Sequence, residues 1–267
     1  MRSIAMSDNP TDVNILRPRL SDDSTIKVIG LGGVGGIVAR YCSIFLASLQ
    51  QPLRLVCIDG DSFEPDNASR MMFSALGNKA AVIINELRDK FLETQLSLLA
   101  IEKYVTEENI HNLIQNDDIV LLAVDNHATR KLVSDFCSHQ RSIVLISGGN
   151  DGVEISSTGR QLQGTYGNCQ VYIRNEGKDI SPSLKHYHQE IANPEDVLPD
   201  AKSCSELLLS VPQILFTNLA TASAILNTFW LYICNSLPYS ELAFDISKGL
   251  MRPVFPLSFL ARKDSLI

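Results

Sequence analysis

Gly30, Gly32 and Gly35 stand in G-x-G-x-x-G register directly after a β-rich run at 26–29. The spacing belongs to a turn from strand into helix, where backbone N–H groups come close enough to bind a phosphate. A helical pattern follows from Val34 to about Leu49, with Val38, Tyr41, Ile44 and Phe45 recurring at three- and four-residue spacing. The turn alone fits NAD, FAD and ATP sites alike, so the residues downstream must separate them.

Residues 53–58 are apolar except for Arg54, the pattern of a buried parallel strand. Asp59-Gly60-Asp61 closes that run, with Asp59 lying 29 residues after Gly30. A ribose-binding acid usually follows the glycines by about 20 residues. The long helix and the Gln50-Gln51-Pro52 turn account for the excess. A polar loop then spans 62–73, and Gly77-Asn78-Lys79 opens a helix expected at 80–91. Strands are expected at 96–104, 119–124 and 142–147, and helices at 107–115 and 127–139. This alternation predicts an α/β fold, a Rossmann-like and mainly parallel sheet with helices on both faces. The polar clusters 30–36, 59–70 and 125–130 all follow strand C-termini and so share one rim.

The second half has a different character. Residues 155–173, with Gly159, Gly164 and Gly167, predict antiparallel strands that extend the sheet. Residues 174–203 are polar, carry Pro182, Pro194 and Pro199, and lack a sustained period. They are expected to form a long, exposed and mobile loop. Cys204 precedes a long apolar helical stretch, and 239–246 returns to strand. Residues 1–25 read as an N-terminal arm broken by Pro10 and Pro18, and 26–267 as one domain. Within that domain, 26–150 is the nucleotide-binding half and 151–267 the remainder.

Composition removes several functions. A net charge of −7 argues against general nucleic-acid binding, which needs clustered Lys and Arg. No basic amphipathic helix points to a membrane surface, and the arm has no apolar signal core. The stretch 214–237 contains Thr217, Asn218, Thr221 and Asn227, which suit a buried helix better than a membrane span. The six cysteines are dispersed, with no C-x-x-C pair. The expectation is reduced thiols in a cytoplasmic protein without zinc.

The chemistry-bearing set is Asp61, Asn67, Arg70, Lys79 and Asp125, read together with the three glycines. A nicotinamide site needs an acid for its ribose but leaves a rim Arg, Lys and second Asp unexplained. A nucleoside triphosphate uses all of them. Asp61 can accept from ribose hydroxyls, and Arg70 and Lys79 can neutralise phosphates. Asn67 can donate to a phosphate oxygen, and Asp125 can hold Mg²⁺. Asp125 is also a candidate N-cap for the helix starting near His127.

Gly30-Leu31-Gly32-Gly33-Val34-Gly35, Asp59-Gly60-Asp61, Asn67-Ala68-Ser69-Arg70, Gly77-Asn78-Lys79 and Asp125-Asn126-His127-Ala128-Thr129-Arg130 together resemble the ThiF/MoeB/HesA superfamily, which includes the ubiquitin-activating enzymes. Asn150 beside Gly148-Gly149, with Gly167-Asn168-Cys169-Gln170-Val171, is similar to the plasmid-associated PRTRC-type ThiF subgroup. The resemblance implies ATP·Mg²⁺ binding and adenylation of the C-terminal carboxylate of a ubiquitin-like or sulfur-carrier protein. It implies transfer to a cysteine in many members. It assigns nucleotide roles to Gly35, Asp61, Asn67, Arg70, Lys79, Asp125 and Asn126, and carrier binding to residues 151–267. Cys204, in Ser203-Cys204-Ser205-Glu206, stands where such proteins carry a thiol before their last core helix. Arg19 is the arm residue that, in a homodimer, would reach the neighbouring subunit's nucleotide. The sequence departs from the family at Met71, where a Gln often follows the Arg, and in lacking paired C-x-x-C motifs. Two other readings stay open here. One is an NAD- or FAD-dependent oxidoreductase built on the same turn; the other is a non-catalytic scaffold of the same fold.

Overall fold

The computed structural model describes residues 16–64, 71–155, 159, 161–201 and 213–255. The first half runs β1 (Thr25–Ile29), α1 (Gly35–Ser48), β2 (Leu53–Ile58), β3 (Ser62–Phe63), β4 (Gly77–Asn78), α2 (Lys79–Arg88), β5 (Leu96–Ile101), α3 (Ile110–Leu113), β6 (Ile119–Leu122), α4 (His127–Cys137) and β7 (Ile143–Asn150). The second half runs β8 (Val153–Ile155), β9 (Gln161–Gln163), β10 (Tyr166–Asn175), β11 (Lys178–Asp179), α5 (Gln189–Ala192), α6 (Leu215–Ile233), β12 (Glu241–Asp245) and β13 (Leu250–Val254).

Among the described residues, nine strands form one sheet in the order β13-β12-β10-β7-β6-β1-β2-β5, with β11 paired to β10. The strands from β7 to β5 are parallel to their neighbours, while β10, β12 and β13 add on antiparallel. The expected α/β fold, with its antiparallel extension in the second half, is therefore present. β1 sits in the middle of the parallel part, with Ile29 registered against Ile58 on one side and Leu122 on the other. Strands buried on both faces read as apolar runs: β6 is unbroken, β7 is apolar over 143–146, and β1 and β2 are each interrupted by one cation, Lys27 and Arg54.

Two cores flank the sheet. One packs Val28, Leu55, Leu121 and Ile146 against α1, α2 and α6. The other packs Ile29, Val56, Leu122 and Leu145 against α3, α4 and the segment 178–201. Fully burying a Leu or Ile contributes about 2 kcal/mol. Truncating Leu121, with no solvent exposure, to Ala would cost about 3 kcal/mol once the cavity is included.

Of the loop expected at 174–203, the described part, 174–201, differs from a bare, exposed loop. The segment 178–201 is a strap across the second core: Leu184 and Ile191 are buried in it, and α5 packs on α4. α3 is a single turn and leaves sheet area that these two side chains cover. Ile180, Leu184, Tyr187 and Ile191 are spaced by four, three and four, but only Leu184 and Ile191 are buried, so the spacing does not mark a buried helix face. The strand expected at 96–104 stops at Ile101, so residues 102–106 turn back over the rim. α6 is the expected buried helix, lying on β7 and β10 with Thr217, Thr221 and Thr228 inaccessible to solvent. No described helix is long and apolar enough to cross a membrane.

Candidate functional site

The glycine turn joins β1 to α1 at the centre of the rim. Gly30 has φ +82° and donates its N–H to Ile58 O at 3.0 Å. A Cβ on Gly35 would lie 1.7 Å from the carbonyl oxygen of Gly30, so only glycine lets α1 start this close to the strand. Val34, the cap of α1, offers no side-chain hydrogen bond to the first turn. Gly36 N donates to Gly32 O and Ile37 N to Val34 O, so the capacity for an anion lies with the glycine turn that precedes these amides.

The loop after β2 supplies the first acids. Asp59 is buried, and it accepts from Leu31 N at 2.5 Å and from Asp61 N at 2.7 Å. It thus ties the glycine turn to the residue that follows. Burial raises its pKa most; Lys79 and the two amides pull the other way. Sequence spacing pointed to Asp61 and missed this supporting acid. Asp61 meets Lys79 through an Oδ2–Nζ ion pair of 2.9 Å. The lysine side chain is 8% exposed and the carboxylate 47%, so the pair faces the rim from the aspartate side. The Tyr104 hydroxyl donates to the other oxygen, Oδ1. Asn78 places Lys79: its Oδ1 caps α2 by accepting from Ala80 N and Ala81 N, and its Nδ2 donates to Asp59 O and Asp61 O.

The loop after β6 supplies the third side of the rim. Ala123 N donates to Ile29 O, which seats the loop against the glycine turn. The N-cap of α4 is Asn126, whose Oδ1 accepts from Thr129 N at 2.7 Å. Asp125 is therefore not the cap; it stands exposed at the rim. Buried Arg130 fixes the loop from behind, donating to Val124 O, Ser147 Oγ and Gly148 O. Burial lowers its pKa, and the nearby Asp125 and Asp196 act in the opposite direction. The strap reaches this corner as well: Asp196 accepts from His127 N and Ala128 N, both at 2.7 Å, and Val197 O accepts from Asn126 Nδ2. Arg130 entered the sequence reading only as the end of the Asp125–Arg130 motif, without a role, and Asp196 was not singled out, because a loop aspartate looks ordinary there.

Gly30, Gly32, Gly35, Asp61, Lys79, Asp125 and Asn126 thus meet on one rim. Asn67, Arg70 and Cys204 lie outside the described residues. The segment just after Arg70 is anchored by Arg40, which donates to Glu86 Oε2 at 2.6 Å and to Met72 O at 2.5 Å. Its guanidinium also lies 5.1 Å from the Phe73 ring centre. Arg19 does not join the rim of its own chain. Its N–H donates to Ile233 O at the far end of α6, near the foot of β2 where Asp23 N meets Pro52 O.

The family model described as the ThiF family matches residues 19–217, well over half of the chain. The chain belongs to the ThiF family. Among curated relatives, the vegetative HesA protein of Trichormus variabilis is 28% identical over 133 residues, covering 49% of this chain and 48% of HesA. The SAMP-activating enzyme E1 of Haloferax volcanii is 26% identical over 132 residues, covering 47% and 45% respectively. This ThiF-family chain matches only about half the length of these relatives. Among solved structures, E. coli MccB, crystallised with AMPCPP and MccA, superposes with a TM-score of 0.59 at 16% identity, covering 88% of this chain and 65% of MccB. That likeness supports the shared fold.

Proposed function

We propose that this ThiF-family chain is an ATP-dependent adenylating enzyme, acting on the C-terminal carboxylate of a ubiquitin-like or sulfur-carrier protein. The observation that carries the reading is the convergence of the glycine turn, the Asp61–Lys79 pair and Asp125 on one rim. The name of the Haloferax relative and the ATP analogue in the MccB crystal agree with it. An oxidoreductase would leave Lys79 and Asp125 without work.

In this reading the nucleotide lies across the turn. Asp61 accepts from ribose hydroxyls, and the amides of the glycine turn face phosphate oxygens. Lys79 leaves Asp61 for the phosphates, joined there by Arg70 and Asn67. Asp125 would hold Mg²⁺. Its fit rests on the donor set: Asn126 does the capping, so this exposed carboxylate stays available. Among the described residues no cluster of three His, Cys, Asp or Glu could hold a metal. A single carboxylate suits Mg²⁺, which usually takes its other oxygens from phosphate and water. When bound, the ion neutralises phosphate charge. An oxygen of the carrier's carboxylate attacks the α-phosphorus, the bond to the bridging oxygen breaks, and pyrophosphate leaves. The protein contributes position and charge neutralisation.

The same proposal gives residues 26–150 to the nucleotide and 151–267 to the carrier. It makes Cys204 the acceptor in a second step, its thiolate displacing AMP from the acyl carbon. It also makes the enzyme a homodimer, with Arg19 reaching the nucleotide of the second copy. Tyr41 and Ile44 on α1, and Phe216 and Leu219 on the adjoining α6, are exposed apolar side chains that a second copy would cover. ATP–pyrophosphate exchange with candidate carriers tests the reading. Asp125→Ala should abolish exchange while the melting transition is kept; unchanged exchange would remove Asp125 from the mechanism.

A further inference from the structure

Asp125 stands exposed between two clamped neighbours. On one side, Arg130 donates to Val124 O from Nε at 3.1 Å and from Nη2 at 2.6 Å. On the other, Asn126 Nδ2 donates to Val197 O at 2.8 Å. The first clamp belongs to α4 itself. The second comes from the strap, 71 positions further along the chain.

The strap also closes the end of α4. Asp196 Oδ2 accepts from His127 N and Oδ1 from Ala128 N, both at 2.7 Å. Asn126 Oδ1 takes the next amide, that of Thr129. The leading amides of this 11-residue helix are thus met by side chains. A helix N-terminus attracts anions. Filled by the chain's own carboxylate, this one has no amide left for a phosphate, although it adjoins Asp125. Asp196 arrives on a packed segment, because Leu184 and Ile191 anchor the strap in the second core and α5 packs on α4.

We propose that Asp196 is a positioning residue for Asp125, fixing from the second half of the chain the loop on which that acid meets Mg²⁺·ATP. The proposal rests on the nucleotide reading above and adds a residue to it. Asp196 touches neither metal nor nucleotide and takes no part in the chemical step. A plain helix cap would alter only the stability of α4. A positioning residue also alters how much Mg²⁺ adds to ATP binding, because a displaced carboxylate holds the ion poorly.

Calorimetric titration of ATP into the full chain, once with Mg²⁺ and once with EDTA, tests this. The chains compared are wild type, Asp196→Ala, Asp196→Asn, Asp125→Ala and the Asp125→Ala/Asp196→Ala double variant. Wild type should bind ATP more tightly with Mg²⁺ than in EDTA, and Asp125→Ala should lose that gain. Asp196→Ala should weaken binding about tenfold with Mg²⁺, the scale of one hydrogen bond to a charged group, and stay within about twofold of wild type in EDTA. Asp196→Asn keeps its shape and one acceptor oxygen, so it should fold and fall between wild type and Asp196→Ala. The double variant should match Asp125→Ala. A full Mg²⁺ gain in both Asp196 variants, with only a lower melting temperature, reduces Asp196 to a cap and overturns the positioning role. Equal losses with Mg²⁺ and in EDTA overturn it too, and both outcomes leave the nucleotide site intact. Failure of wild type to bind ATP, or a Mg²⁺ gain untouched by Asp125→Ala, overturns the reading of the site itself and the positioning role with it.

Discussion

His188 and Glu241 join across 2.9 Å between Nε2 and Oε1, fastening the strap to β12. The other ring nitrogen, Nδ1, meets Glu190 Oε1 at 2.7 Å. Carboxylates on both nitrogens of an imidazole favour its doubly protonated, positively charged form. Burial, the largest influence, pushes the His188 pKa down, but the two carboxylates outweigh it and the net shift is upward. The reverse holds at His127, where burial and then Arg130 lower the pKa and Nδ1 is enclosed without a partner.

The signs follow from linkage. A raised histidine stabilises fully below its unfolded pKa of 6.5, and that stability fades as pH rises through the folded value. A lowered histidine costs stability as pH falls below the same 6.5, because the unfolded chain takes up the proton first. His188→Gln should therefore cost most on the acid side of 6.5, about 3 kcal/mol where Glu241 is left buried without its charged partner. The wild-type minus variant difference in urea midpoint should shrink from pH 6 towards pH 9. A difference that does not change with pH would mean that His188 is not charged in the fold.

Lys79→Ala should remove ATP–pyrophosphate exchange by at least about a hundredfold, since a positioned cation at a phosphate is worth several kcal/mol. Lys79→Arg should not restore it. The lysine stem is buried at the start of α2, and a planar fork neither fits the same channel nor makes the same single contact with Asp61. Exchange assays of both variants at saturating carrier check this, with exchange near wild type in Lys79→Arg as the contrary outcome.

Gly35→Ala meets the Gly30 carbonyl oxygen head-on, at 1.7 Å. The turn or α1 must move, which costs about 3 kcal/mol or more. For a chain of this size that lowers the melting temperature by roughly 6–12 °C. Under the proposed function nucleotide affinity should fall as well, because the glycine turn is the part that would meet phosphate. A variant that melts normally and binds ATP normally would contradict the close approach described here.

Thiol accessibility checks the cysteines. Cys42, Cys57, Cys137, Cys169 and Cys234 are all buried. Burial pushes the Cys57, Cys137 and Cys169 thiols up to about 12 and raises Cys42 and Cys234 too. Thiols of that kind react slowly because little thiolate forms. In folded protein, a maleimide or aromatic disulfide should label Cys204 alone in the first minutes, and Cys204→Ser should abolish that phase. Rapid labelling that survives in Cys204→Ser would assign the reactive thiol elsewhere.

The sequence made the central β-α-β frame readable because its signals are local. Glycine spacing, apolar strands and a period of three to four in α1 each depend on neighbours in the chain. Asp61, Lys79 and Asp125 could be placed on the rim for the same reason: each follows a recognisable strand end or opens a helix. Tyr104 and Asp196 could not, and Asp59 and Arg130 were named only within motifs and given no role, because their contacts run across the fold. Tyr104 lies beyond the end of β5, and nothing near it in sequence says that its hydroxyl meets a residue 43 positions earlier. The strap was misjudged because two buried side chains, Leu184 and Ile191, decide its packing, while Ile180 and Tyr187 at the same spacing stay exposed.

Asp196 caps an amide pair that precedes it by almost 70 positions, at His127 and Ala128. A nascent chain emerging from the ribosome reaches α4 well before it reaches the carboxylate that completes it. The glycine turn and the Asp61–Lys79 pair can therefore form while this corner is still open. Closing it waits on a long-range contact, the kind that slows folding. Synthesis thus delivers the phosphate side of the rim first and its Asp125 corner last.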